Sequence, residues 1–292
     1  MKVLVMGGTG MLGHKLVQQL SPQFEVYTTI RPRFDEVVRF KIFDRDRTVD
    51  QIDLADENQI KSAIDKIRPD AVIDAAGVIK QVPSSKDVIT TLTINSILPH
   101  RLASLSAEFG YRLIVVSTDC VFSGEKGNYT ENDTPDATDL YGKSKNLGEV
   151  SEVNCLTLRT SIIGRELSTN HSLIEWFLSN HGKSVKGFSR AIYSGFPTIV
   201  FADIISFLLS QNPDLSGLYH VSSQAIDKFR LLSIVNDKFR AKVEIAEDNS
   251  FVIDRSLDST SFRAATGYVA PDWNEMIERM ALDPTPYDLY RK

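Results

Sequence analysis

Apolar residues fall along this chain in short runs separated by helical periodicities, and the two patterns alternate from the start. Lys2–Met6 is an apolar run of the kind expected of a strand buried on both faces. Its single lysine and short apolar stretch superficially resemble a signal peptide, but Gly7-Gly8-Thr9-Gly10 cuts the run too early. Leu12, Leu16, Val17 and Leu20 then recur at helical spacing. Residues 24–29 predict a second strand and 49–52 a weaker third. Residues 56–67 predict a helix with Ile60, Ile64 and Ile67 on one face, ended by Pro69. Ala71–Asp74 predicts another strand, running into Ala75-Ala76-Gly77. Residues 87–109 predict a long helix, bent at Pro99 and closed by Gly110 as its C-cap. Residues 112–116 give the next strand, with Ser117-Thr118-Asp119 at its C-terminal end. A helix carrying Tyr141 and a sixth strand over 155–159 follow.

Strands alternating with helices imply a parallel sheet covered on both faces: an α/β, Rossmann-type doubly wound architecture. In such sheets ligands bind beyond the C-terminal strand ends, where the glycine turn, Ala75-Ala76-Gly77 and Thr118 all fall. After Arg159 the alternation loosens. Helical spacing returns at 172–178, 203–209, 226–239 and 273–280, with a strand at 217–221. The expected division is a dinucleotide-binding domain over 1–160, rejoined by about 196–222. The remainder of 161–292 forms a smaller α/β substrate domain.

Composition narrows the classes. The chain has 292 residues, 42% hydrophobic and 24% charged, which is ordinary for a globular protein with a sizeable core. A net charge of −5 carries no nucleic-acid footprint. No run of about 18 apolar residues is present, so no membrane span is expected. The two cysteines, Cys120 and Cys155, make no metal or disulfide pattern and fit a reducing, cytoplasmic setting. The five histidines lack metal-ligand spacing, so no metal is expected.

Two motifs carry chemistry. Gly7-Gly8-Thr9-Gly10-Met11-Leu12-Gly13 lies between the first strand and first helix. Its glycines permit a tight turn and close approach of a pyrophosphate, and the helix N-terminus offers unpaired N–H groups. No acid follows the second strand before Asp35; Arg31 and Arg33 stand there instead. They could receive the 2′-phosphate of NADP, or simply be solvated loop arginines. Asp53 and Leu54 are placed to meet the adenine, although Asp53 could equally cap a helix. The second motif is Tyr141-Gly142-Lys143-Ser144-Lys145, with tyrosine and lysine four apart and on one helix face. An ammonium beside a phenol favours the phenolate, so such a tyrosine can pass a proton near neutral pH. The same spacing also occurs on plain solvated helix faces.

The glycine turn, Ala75-Ala76-Gly77, Asn95, Ser117-Thr118-Asp119 and Tyr141-x-x-x-Lys145 come in the order of an extended short-chain dehydrogenase/reductase. Within that superfamily the chain resembles, nearly end to end, the dTDP-4-dehydrorhamnose reductase (RmlD-like) family of sugar-nucleotide reductases. The segments carrying this are residues 117–124, Leu158-Arg159-Thr160-Ser161, Phe196-Pro197-Thr198, Ser256-Leu257-Asp258-Ser259-Thr260 and Ala265-Thr266-Gly267-Tyr268. The resemblance implies NADPH-dependent reduction of the 4-keto group of a nucleoside-diphosphate 6-deoxy sugar, with NADH as the alternative reductant. It points to dTDP-rhamnose or related polysaccharide biosynthesis. Tyr141 would be the general acid, and Lys145 would hold the nicotinamide ribose and support Tyr141. Thr118 would bond the reacting oxygen, and Asp119 would sit beside the sugar. Gly7, Thr9, Gly10, Met11, Leu12 and Gly13 would contact the pyrophosphate, with Ala75, Ala76 and Gly77 lining the cofactor groove. Asn95 would join structure to proton relay. Lys80, opening the stretch 80–86, would face the substrate.

Plainer roles exist for several of these residues: Thr118 as a strand-end cap, Asp119 as a loop N-cap, Asn95 as the mend of a helix defect. The chain departs from the family at Cys120, where tyrosine is common, and at Ile162, where tryptophan is common. Both positions face the sugar in the family, so the identity of the sugar is what they put in question. A homodimer is compatible with this reading. The competing classes are a non-catalytic NADP-binding regulatory subunit and a sugar-nucleotide epimerase or dehydratase.

Overall fold

A computed structural model describes residues 1–80 and 87–290. In chain order the strands are β1 (Lys2–Met6), β2 (Glu25–Thr29), β3 (Thr48–Val49), β4 (Ala71–Asp74), β5 (Arg112–Thr118), β6 (Cys155–Thr160) and β7 (Ile162–Ile163). They continue as β8 (Ser184–Phe188), β9 (Ala191–Tyr193), β10 (Phe196–Pro197), β11 (Gly217–His220), β12 (Ile226–Asp227), β13 (Glu244–Asp248) and β14 (Ile253–Asp254). The helices are α1 (Gly13–Leu20), α2 (Phe34–Val37), α3 (Glu57–Ile67), α4 (Val88–Leu92), α5 (Leu98–Phe109) and α6 (Leu140–Leu147). They continue as α7 (Leu173–Leu178), α8 (Thr198–Gln211), α9 (Lys228–Phe239), α10 (Thr260–Thr266), α11 (Trp273–Ala281) and α12 (Tyr287–Tyr290).

Seven strands form one sheet in the order β11-β6-β5-β4-β1-β2-β3. The pairs β1–β2, β1–β4, β2–β3 and β4–β5 are parallel. The order doubles back at β1 and β4, which makes their C-terminal ends the topological switch point where such sheets bind ligands. Val3, Leu4, Val5 and Met6 are fully buried, as their unbroken apolar run requires. On α3 the expected stripe of Ile60, Ile64 and Ile67 is buried in the same core as Leu4, Val72, Leu102 and Leu113.

The chain divides into two compact units. The first holds Met1–Ser117, Asp139–Leu158 and Ala202–Leu218. The second holds Thr118–Thr138, Arg159–Phe201 and Tyr219–Lys292. Small sheets build the second: β12-β9-β14, β13-β8 and β10-β7. A compact core of Val121, Phe122, Tyr129 and Leu257 sits there, with the Phe122 and Tyr129 rings stacked at 4.1 Å.

Several elements differ from expectation. The third strand is only Thr48–Val49, because Gln51 turns to a left-handed φ of 59°. The long helix is interrupted not by Pro99 but by a π turn over Thr93–Ile97, which separates α4 from α5. Pro99 falls in the first turn of α5, where its missing N–H costs nothing. The helix expected over 203–209 extends to Thr198–Gln211.

The seat of α6 on the π turn yields a test. A Cβ at Gly148 would strike the Asn95 carbonyl oxygen and come within 3.1 Å of the Ser96 Cα. These are backbone atoms that cannot swing aside, so Gly148→Ala should cost about 2–3 kcal/mol. Urea unfolding measures this; an unshifted midpoint would show that the close approach is not required.

Candidate active site

The glycine turn is built by contact. Gly7 has a φ of +82°, and a Cβ there would stand 3.2 Å from the Ala76 Cα. A Cβ at Gly8 would strike the Thr28 hydroxyl, and one at Gly13 the Gly7 carbonyl oxygen. The first helix begins at Leu12, whose side chain makes no capping hydrogen bond. Ala75, Ala76 and Gly77 follow the end of β4 and face this turn through the Gly7–Ala76 approach. Thr9, Gly10, Met11 and Leu12 complete the turn, which is closed by Gly10 N donating to Gly7 O at 3.0 Å.

Arg31 is exposed just beyond β2 and makes no ion pair among the described residues. Its neighbour Arg33 instead opens α2 and lies 3.8 Å from Asp35. Asp53 does not cap the following helix; Asp56 does, accepting from Asn58 N and Gln59 N. Asp53 is exposed and holds its own turn, with Oδ1 accepting from Ala55 N at 2.9 Å. Leu54 packs against the sheet core.

Asn95 sits at the middle of the π turn and is fully buried. Its Oδ1 accepts from Val78 N at 2.8 Å. Its Nδ2 donates to Val78 O at 3.0 Å and to Ser144 Oγ at 3.1 Å. Ser144 Oγ donates in turn to Tyr141 O at 2.9 Å, and Ser96 Oγ donates to Ser144 O at 2.7 Å. These bonds fix the helix that carries Tyr141 and Lys145. Asp139 caps that helix by accepting from Gly142 N at 2.9 Å.

Tyr141 is half-buried, and the Lys80 ammonium lies 5.5 Å above its ring while pairing with Asp139 at 2.8 Å. Residues 81–86, the rest of the expected substrate loop, lie outside the described residues. Lys145 is only 6% exposed, and its Nζ donates to Val116 O at 2.8 Å. Burial pushes the Lys145 pKa down, while the charges of Asp74 and Glu149 act to raise it. Glu149 accepts from Ser117 Oγ at 2.6 Å.

Asp74 was not singled out by sequence reasoning, because it ends an apolar strand and reads as part of it. It is 1% exposed, and burial raises its pKa to about 6, with Lys145 pulling the other way. Its Oδ1 accepts from Ala76 N at 3.1 Å, while Oδ2 has no hydrogen-bond partner among the described residues.

A second cluster lies in the second unit. Thr118 ends β5 and does act as a cap: its Oγ1 accepts from Cys120 N at 3.1 Å and donates to Asp119 Oδ1 at 3.2 Å. Asp119 is buried, and burial raises its pKa against the pull of Arg255. Arg255 donates through Nε to Phe122 O at 2.9 Å and through Nη1 to Cys120 Sγ at 3.6 Å. Tyr193 donates to Ser161 O at 3.2 Å; burial, then the Asp119 charge, holds its pKa high. Lys228 is half-buried and has no hydrogen bond or ion pair among the described residues. Burial lowers its pKa, opposed by Asp119. β12 runs antiparallel and β14 parallel to β9, with Asp227 and Asp254 both opposite Ile192, so Lys228 and Arg255 follow the two strand ends in opposite directions along β9. Lys228 was readable only as a helix residue, and it opens α9. Ile162 is half-buried on β7, opposite Phe196. Among the described residues no cluster of potential metal ligands occurs, and no helix is long and apolar enough to cross a membrane.

The chain belongs to the RmlD substrate binding domain family, which matches residues 1–284. It is 28% identical over 232 residues to the spore coat polysaccharide biosynthesis protein SpsK of Bacillus subtilis, covering 77% of this chain and 74% of that protein. It is 26% identical over 257 residues to the methionine adenosyltransferase 2 subunit beta of Xenopus tropicalis, covering 82% and 72% of the two chains. Among solved structures it is similar to a hypothetical dTDP-4-dehydrorhamnose reductase from Sulfolobus tokodaii. There the TM-score is 0.77 at 27% identity, over 94% of this chain and 98% of that one. The fold is shared with the dTDP-4-dehydrorhamnose reductase of Bacillus anthracis in complex with NADP. That likeness has a TM-score of 0.78 at 22% identity, over 96% and 98% of the two chains.

Asp74 sets a pH dependence of stability. Its carboxyl holds a proton up to about pH 6 in the folded chain but only to about 3.8 when unfolded. The stability it contributes is therefore present below about pH 3.8 and lost as pH rises through about 6. That gap, at about 1.4 kcal/mol per pH unit, is about 3 kcal/mol. Asp74→Asn should accordingly be more stable than the wild type by up to about 3 kcal/mol at pH 8, the difference closing towards pH 4. Chemical denaturation across this range checks it, and a gap that fails to close at low pH would contradict it.

Proposed function

We propose that this chain is an NADPH-dependent reductase acting on the 4-keto group of a nucleoside-diphosphate 6-deoxy sugar, with Tyr141 as proton donor. The observation that carries the reading is the pair of Tyr141 and Lys145 on one face of α6, with the Lys145 ammonium anchored on Val116 O at 2.8 Å. The uncapped helix and the space left by Gly7, Gly8 and Gly13 suit a dinucleotide. The NADP bound by the Bacillus anthracis protein supports that cofactor, with NADH as the alternative.

When bound, the nicotinamide supplies hydride to the substrate's carbonyl carbon. Gly7, Thr9, Gly10, Met11, Leu12 and Gly13 hold the pyrophosphate, and Arg31 meets the 2′-phosphate. Asp53 and Leu54 meet the adenine end, while Ala75, Ala76 and Gly77 line the groove. Asn95 acts through Ser144 to keep Tyr141 and Lys145 in place. Lys145 donates to the nicotinamide ribose, and its charge favours the phenolate form of Tyr141. Tyr141 then delivers its proton to the carbonyl oxygen, which Thr118 steadies by a hydrogen bond. In the second unit Asp119 bonds the sugar, and Arg255 and Lys228 complement the substrate's diphosphate. Lys80 approaches the substrate from its place over the Tyr141 ring. The first unit serves the cofactor and the second the sugar nucleotide, in a cytoplasmic enzyme.

A second reading, a cofactor-binding subunit without turnover, is favoured by the likeness to the methionine adenosyltransferase 2 subunit beta. Tight NADP binding, no activity on any keto sugar and a stable protein partner would support it over the first.

Purified protein should oxidise NADPH when given a nucleoside-diphosphate 4-keto-6-deoxy sugar. Tyr141→Phe should lower kcat by about 10²- to 10⁴-fold while NADPH still binds. Normal turnover in that variant would rule out Tyr141 as the acid. Arg255→Ala should raise KM for the sugar nucleotide roughly 10-fold and leave KM for NADPH unchanged. Equal effects on both would remove Arg255 from the substrate's binding groups.

A further inference from the structure

Asp74 has no part in the roles above, yet its surroundings are specific. It ends β4 opposite Val115 of β5, and the next carbonyl on β5, Val116 O, receives the Lys145 ammonium at 2.8 Å. Carboxylate and ammonium thus stand at the same level of two hydrogen-bonded strands, with no direct ion pair between them among the described residues. One carboxylate oxygen is satisfied by Ala76 N at 3.1 Å, and the other is buried without a partner. A buried orphan acceptor is costly and calls for a reason. The charged groups acting on this pair are few. Lys145 acts on Asp74, while Asp74 and Glu149 act on Lys145. Glu149 is bonded to Ser117 Oγ at 2.6 Å, which leaves Asp74 as the buried acid with bonding capacity to spare.

We propose that Asp74 is a positioning residue for Lys145, its buried carboxylate keeping that lysine charged at the strand edge so that the ammonium is available to cofactor and to Tyr141. This rests on the reductase reading of the same site. Burial disfavours the charged form of a lysine this deep, and a negative charge nearby opposes that without occupying its N–H donors. The donors not spent on Val116 O stay available to a ligand, and a direct salt bridge would consume them.

The test is a pair of pH profiles from about 5 to 10 for wild type and Asp74→Asn. One follows kcat/KM for NADPH oxidation with a nucleoside-diphosphate 4-keto-6-deoxy sugar; the other follows NADPH affinity by nicotinamide fluorescence. In Asp74→Asn the alkaline limb of both should move to lower pH by about one unit, so that at a pH on that limb the variant is about 10-fold weaker. At the low-pH plateau the two proteins should agree within about twofold. A variant lowered equally at every pH, or one whose profile superimposes on the wild type, would overturn the proposal. Wild type that binds NADPH but reduces no sugar would defeat the reductase reading, while the affinity profile still decides the role of Asp74. Should Asp74→Asn not fold, Lys145→Met reads the coupling from the other side. Loss of the ammonium should move the pH-dependent step in stability above the value of about 6 set by Asp74, and an unmoved step would overturn the coupling.

Discussion

The amide of Asn95 is the constraint on which the placement of Tyr141 and Lys145 depends. It pairs with both the N–H and the C=O of Val78, as a neighbouring strand would, and spends its remaining donor on Ser144. Three segments meet in one side chain: the loop leaving β4, the π turn and α6. A regular helix would carry Asn95 on a different bearing, so the extra residue of the π turn is what aims it. Gly148 supplies the other half, because only a residue without Cβ lets the end of α6 rest against the Asn95 carbonyl. Lys145 reaches Val116 O, and Tyr141 takes its bearing, as consequences of this seat.

Given that seat, the electrostatics follow a common rule in both units. At the Lys145 and Asp119 clusters buried charges lie near opposite charges without a direct ion pair among the described residues, whereas Arg165 and Glu175 close one at 2.6 Å. Lys145 lies near Asp74, and Asp119 lies near Arg255 and Lys228. A closed salt bridge in a dry interior satisfies its own groups and gains little overall. A charge stabilised at a distance keeps its hydrogen-bonding capacity for something else, at the expense of the empty protein's stability. Shifted ionisations of this kind gather where protons or anions are handled.

The sheet was legible because strands buried on both faces are unbroken apolar runs: 2–6, 71–74 and 112–116 all mark themselves. The glycine turn and the Tyr141–Lys145 spacing were equally plain, since each depends on a local pattern. What stayed hidden depends on pairing at a distance. Strands of two residues such as β7, β10, β12 and β14 carry no periodicity of their own. Lys228 and Arg255 act on Asp119 from positions far from it in the chain, which no local pattern announces. The π turn looked like a helix bent at Pro99, because a one-residue bulge leaves the apolar spacing almost unchanged. Asp74 was read as the last letter of a strand, and nothing local distinguishes a strand-end acid that meets water from one that meets a buried lysine.

That hidden acid bears on the choice between a turning-over enzyme and a subunit that merely holds a cofactor. On the proposed reading, a dinucleotide is held by the cradle of Gly7, Gly8 and Gly13, the start of α1 and a lysine donor to the ribose. None of these requires a buried carboxylate with an orphan oxygen, which makes the fold less stable at neutral pH. Destabilising arrangements persist where activity needs them, because substitutions that relieve them are otherwise easy to reach. Asparagine at position 74 would keep the shape and remove the cost. The charge has a use only if Lys145 must stay cationic beside a tyrosine that gives up its proton. The Asp74–Lys145 arrangement therefore weighs towards turnover.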